Sequence, residues 1–149
     1  MIPAIRGWTA VERTAAANVR LGCALAFVAG AANAGGFLAV GQYTSHMTGA
    51  VSTIADQVVL GNVGLALAAA AAVVAFMAGA ATTAILVNWG LRRRLHGAYC
   101  LPLALEAALL LAFGIFGAAI AAFPALFAPM TVLLLCFMMG LQNAIITKI

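Results

Sequence analysis

Charge is what this chain lacks. Seven lysines and arginines and three acids make up 7% of its 149 residues, while 66% are hydrophobic. A soluble domain carries about 25% charged residues to cover its surface. Solvation therefore excludes a soluble enzyme or binding module, because the rest of such a surface would be Ala, Leu, Val and Gly. Cysteine is scarce as well. Cys23, Cys100 and Cys136 stand far apart with no CxxC pair, so they read as small buried hydrophobes. Also missing are a GxSxG elbow, an HExxH helix, a P-loop and a dinucleotide fingerprint. The sequence points away from an enzyme and calls for no cofactor and no metal. The net charge of +4 does not indicate nucleic acid: the positive residues form short clusters beside hydrophobic runs, and no basic face exists to hold a phosphate backbone.

What remains is apolar helix. The sequence predicts an all-α, polytopic transmembrane helical bundle with the lipid bilayer as its partner. Residues 1–19 form a leader too short and too polar to span. Within it Thr9 and Glu12 have capping-box spacing, and Trp8, Val11, Ala15 and Val19 share one face. An interfacial helix and a disordered leader are both open readings. Residues 20–149 form the transmembrane domain. Arg20 to Tyr43 is the first span, long enough for a hydrocarbon core of about 30 Å. Ala32-Asn33-Ala34 resembles a signal-peptide cleavage site, but apolar sequence continues beyond it. Further spans cover Val63 to Val87, Pro102 to Phe123 and Met130 to Ile146, with Pro124 and Pro129 bracketing a turn.

Between the first two spans lies the one polar, glycine-rich stretch, AGAANAGGFLAVGQYTSHMTG, from Ala29 to Gly49. Ala26, Gly30 and Ala34 repeat every four residues, and Gly35 and Gly36 follow. Small residues at this spacing permit close helix packing, and several glycines together permit a helix break at Gly35-Gly36 or at Gly41. Beyond it, Val51, Ile54, Ala55, Val58 and Val59 form the stripe of an amphipathic helix, with Ser52, Thr53, Asp56 and Gln57 opposite and Gly61 placed to end it. This segment lies in the interface or dips back into the protein, with Gly49 at the bend. Four spans put all seven basic residues on one side, so the positive-inside rule makes both termini cytoplasmic and turns the histidine-threonine-glycine segment outward.

The 29–49 stretch with its following Leu60-Gly61, together with FMMGLQNAIITKI at residues 137–149, resembles the YoaK family of bacterial membrane proteins of unknown function. The resemblance implies a multi-pass protein of the bacterial inner membrane. It also implies six helices, of which about four are present here, so that the chain reads as a fragment lacking about two helices. A three-helix inverted repeat would match Asn33-Ala34 to Asn143-Ala144, an arrangement met in secondary transporters. The family commonly has aspartate where Asn33 stands and asparagine where Ala50 stands. A charge-dependent role at residue 33 is thereby in doubt.

Two functions from different classes follow. In the first the protein is a small-solute permease whose polar site is built from Asn33, His46, Thr48 and Asp56. His46 has an imidazole that titrates near neutrality, and Asp56 is its partner or an ion ligand. In the second it is a non-transporting membrane protein that acts through helix packing at Gly30, Gly35 and Gly36, as a homo-oligomer or with a missing half. His46 then only satisfies loop carbonyls, and Asp56 keeps a helix face wet. Asn33 either bonds a neighbouring segment or lines a polar path. Glu106, about one turn inside the third span, is either functional or paired with Arg92–Arg94. Gln142 and Asn143 read as interhelical hydrogen-bonders.

Overall fold

A computed structural model of the chain describes residues 14–121 and 124–147. The described residues form five helices: α1 (Ala15–Val40), α2 (Met47–Val59), α3 (Val63–Arg92), α4 (Cys100–Ala121) and α5 (Pro124–Ile146). Three of them are long and apolar enough to cross a membrane, and α4 supplies a shorter apolar stretch, Cys100–Ile115, among the described residues. The expected fold class holds: the protein is an all-α bundle of apolar helices.

The helix limits follow from local chemistry. Thr14 caps α1, its hydroxyl accepting from the Ala17 amide at 3.3 Å. The Thr9–Glu12 box lies outside the described residues, and Ala15 to Val19, read above as leader, are already helical. Helix α1 runs straight through Gly35 and Gly36 and stops at Gly41, which adopts the left-handed conformation (φ 71°) and donates to the Phe37 carbonyl at 2.8 Å. Of the break points considered, Gly41 is the one used. Gly49, expected at the bend, lies instead in the first turn of α2. Gly61 (φ 76°) ends α2 as its position predicts. Helix α5 begins at Pro124 and continues through Pro129, where a turn was expected. Pro124 at the helix start has no intrahelical bond to forfeit, whereas Pro129 in the second turn gives up one i→i−4 bond and the helix continues through it.

Helix α5 is the hub. It packs against α1, α3 and α4, whereas among the described helices α2 packs against α3 alone. Half of the apolar window of α5 is buried, against 11% for α1 and 17% for α3. At the α3–α5 crossing the backbones touch. A Cβ on Gly79 would fall on the Phe137 carbonyl oxygen, and a Cβ on Gly140 on that of Phe76. Beside the crossing, the buried Thr83 hydroxyl donates to the Leu141 carbonyl at 2.9 Å. At one end of the bundle Leu21 and Leu25 of α1, Val87 of α3, Tyr99 and Leu103, and Ile145 of α5 form a single cluster. The N-terminal part of α1 thus meets the C-terminal ends of α3 and α5, so α3 and α5 run parallel to each other and antiparallel to α1. Arg20 and Arg92–Arg94 sit at this same end.

Candidate functional site

The chain does not continue outward after Gly41. It folds back alongside the last two turns of α1. Asn33, seven residues before the helix end, holds it there: its Oδ1 accepts from the Thr44 amide at 2.9 Å and from the Ser45 amide at 3.3 Å. One side-chain oxygen thereby satisfies two backbone donors that a helix or sheet would otherwise have to absorb. Thr44 is fully buried, and its methyl lies 3.6 Å and its hydroxyl 3.8 Å from the position of a Gly36 Cβ. That Cβ would also stand 2.8 Å from Leu135 Cδ1 of α5. Gly36 is therefore the point at which α1, the returning loop and α5 converge. The acceptor at residue 33 is one that an aspartate would supply equally.

Helix α2 starts from this recessed position. His46 precedes it without any side-chain cap, and Met47 and Ala50 donate to the carbonyls of Ser45 and His46. Within α2 the hydroxyls of Ser52 and Thr53 turn back onto the Thr48 and Gly49 carbonyls. At its far end the Asn62 amide side chain donates to Gln57 Oε1 at 2.9 Å.

Beneath the loop is a cavity of about 130 Å³. Ala29 contributes its α1 wall, Ser45 its roof and Phe76 its α3 wall; Met139, Gln142, Asn143 and Ile146 of α5 form the back. The volume is enough for a few waters or a solute of a few heavy atoms. Gln142 is buried and donates its amide nitrogen to the Leu25 carbonyl, the interhelical bond expected of it, while its Oε1 finds no partner. Thr44 Oγ1 is likewise buried and unpartnered. Buried polar atoms left without partners are uncommon and each calls for an explanation.

The expected site residues do not converge on one spot. Asn33 anchors the loop. His46 is exposed, its ring tilted at 5.7 Å against Tyr43, which in turn stacks on Phe37 at 4.6 Å. Thr48 is exposed in the first turn of α2. Asp56 is exposed near the other end of α2, about 12 Å farther along at 1.5 Å per residue. The structure does not pair it with His46. Of the packing glycines only Gly36 is in contact; a Cβ at Gly30 or Gly35 would meet nothing within 4 Å. The tight crossing falls on Gly79 and Gly140, and Ser45 joins the cavity. The signal for the crossing was present in the recurring Phe-Met-x-Gly of residues 76–79 and 137–140. Of the cysteines, Cys136 is buried as expected, but Cys23 and Cys100 face outward. No group of three His, Cys, Asp or Glu suited to a metal occurs among the described residues.

A protein family described as "Protein of unknown function (DUF1275)" matches residues 21–149. No curated protein and no solved structure matches the chain.

Proposed function

The chain belongs to the DUF1275 family, and from the geometry of its recessed loop we propose that it is a permease-like membrane protein that passes a small polar solute. The observation that carries this reading is the returning loop. Irregular backbone at membrane depth is tolerated where it is buried in protein or lines a cavity; here Thr44 is buried against Gly36 and Leu135 and Ser45 lines the cavity, while Gly41, Gln42, Tyr43 and His46 are exposed. Ser45 sits over a mainly apolar cavity into which Gln142 and Asn143 bring polar groups, with Asn33 fixing the loop above it. Solute passage needs no covalent chemistry, which fits the absence of catalytic motifs.

The same reading places the protein in the bacterial inner membrane. Arg20 and Arg92–Arg94 share one end of the bundle, which the positive-inside rule assigns to the cytoplasm. Both termini follow, and α2 and His46 face outward. Likeness to the YoaK proteins belongs to this reading, as does completion of the site by further helices or by a second copy. Labelling intact cells with a membrane-impermeant maleimide tests the orientation: Asp56→Cys reacts, and Cys23 and Cys100 do not.

The transport reading is tested by reconstituting the full chain in phospholipid vesicles and following swelling in urea or glycerol. Protein-containing vesicles swell faster than empty ones, and Ser45→Phe, which fills the cavity, returns the rate to that of empty vesicles. Wild-type vesicles that swell no faster than empty ones would sink the reading.

One observation favours a second reading. Gly30, with Ala26 and Ala34 on the same stripe, lies exposed on α1 with nothing above it. Such a stripe accepts another helix at close range, as in a protein that works by assembling partners. Chemical crosslinking of wild type and Gly30→Leu distinguishes the readings, since only a packing stripe loses its crosslinked species when leucine is introduced.

A further inference from the structure

Glu106 takes no part in the loop or the cavity. It lies on the face of α4 that also carries the buried Pro102, one turn earlier. The side chain is 4% exposed and Oε1 has no hydrogen-bond partner. Helix α4 packs against α3 and α5, and the end cluster fixes the register. Leu103 joins Val87 and Ile145, so Glu106, one turn deeper, is level with Thr83 on α3 and Leu141 on α5.

The groups on those facing helices leave the carboxyl by itself. On α3 the Thr82 and Thr83 hydroxyls are engaged by the Ala78 and Leu141 carbonyls, and the cations among its described residues and the turn after it, Arg92, Arg93 and Arg94, are exposed at the helix end with His96. On α5 the titratable group is Cys136, and Gln142 is turned to α1. An ionisable group kept inside an apolar bundle without a counter-charge is costly and marks a functional position. A metal cation would need several oxygen ligands, and the neighbouring hydroxyls are taken. A proton needs one oxygen.

We propose that Glu106 is a proton-exchange site within the bundle. The carboxyl releases its proton to a water or solute reaching the α3–α4–α5 junction, leaving the carboxylate, and recovers a proton from the other side. No other bond forms or breaks. The inference rests on Glu106 and its surroundings, not on the permease reading; solute swelling and proton exchange succeed or fail independently.

Dicyclohexylcarbodiimide provides the first test. This lipid-soluble reagent adds to an undissociated carboxylic acid and leaves an N-acylurea heavier by one reagent molecule. In the full chain reconstituted in phosphatidylethanolamine–phosphatidylglycerol vesicles, peptide mass spectrometry should find the adduct on Glu106 and not on the exposed Asp56, with the adduct lost in Glu106→Gln. The second test loads the vesicles with a pH-sensitive dye and imposes a pH gradient. Wild type dissipates it faster than empty vesicles, and Glu106→Gln falls to the empty-vesicle rate. An unmodified Glu106 in the wild type, label on Asp56 to the same extent, or a dissipation rate unaffected by Glu106→Gln each overturns the proposal. The wild-type labelling decides even if the variant does not fold.

Discussion

Helices α1 and α5 are equally apolar over their best windows, yet one lies at the margin and the other at the centre. Only 11% of the α1 window is buried, against 50% for α5. Hydropathy reports the solvent a helix tolerates and says nothing of its neighbours. What separates the two is the use made of small and polar residues. In α5 they point at other helices: Gly140 meets the α3 backbone, Gln142 bonds α1, and the buried Thr131 and Cys136 fill gaps. In α1 only Gly36 and Asn33 do comparable work, near the helix end, and Gly30 and Gly35 face outward.

The largest test of this contrast is at the crossing. Gly140→Leu or Gly79→Leu must force two helix backbones apart, and the loss should exceed about 4 kcal/mol, leaving no cooperatively folded bundle in a detergent melt. Next comes the anchor. Asn33→Ala leaves the Thr44 and Ser45 amides without an acceptor, at a cost of about 1–3 kcal/mol, and hydrogen exchange at those two amides should accelerate. Asn33→Asp should preserve their protection; equal exchange in both variants would mean that residue 33 does not hold the loop. Thr83→Val removes one interhelical bond and should cost roughly 0.6–1.7 kcal/mol, read as a lowered melting temperature. The smallest effect belongs to α1. Gly30→Leu should change stability by no more than about 0.5 kcal/mol. A Gly30→Leu loss approaching that of Gly140→Leu would show the margin helix to be a covered one and erase the contrast.

Much of the fold was legible because its signals are local. Apolar length predicts the four long helices, the alternation of Val51, Ile54, Val58 with Ser52, Asp56 predicts α2, and Gly61 stops it. The dip of the loop was only half legible. A polar residue in an apolar helix announces that a bond exists, but whether Asn33 reaches a helix, a loop or a solute depends on what folds back onto it. Gly41 and Gly49 are both plausible bends, and the choice was made by the burial of Thr44 against Gly36 and Leu135. The α3–α5 crossing was only partly legible: the repeated Phe-Met-x-Gly marks two glycines but does not say that they meet. Alanine-rich α3 offers many small residues, and which of them becomes the contact is decided by the partner helix. Pro129 misled because proline is read as a stop, whereas here the helix continues through it at the loss of one backbone bond. The candidate site suffered most, since Ser45, Gln142 and Asn143 lie nearly a hundred residues apart and carry no shared motif.

Placing the hub at α5 also orders biosynthesis. The ribosome delivers α1, the loop, α2, α3 and α4 before the helix against which α1, α3 and α4 pack. Among the described helices the backbone of α1 comes close to that of α5 alone. Until α5 enters the bilayer, α1 must wait as a solitary segment with its Asn33 and glycines unsheltered. Docking of α1 thus waits on the synthesis of α5, and until then the nascent chain depends on whatever shields membrane segments that have not yet met their partners.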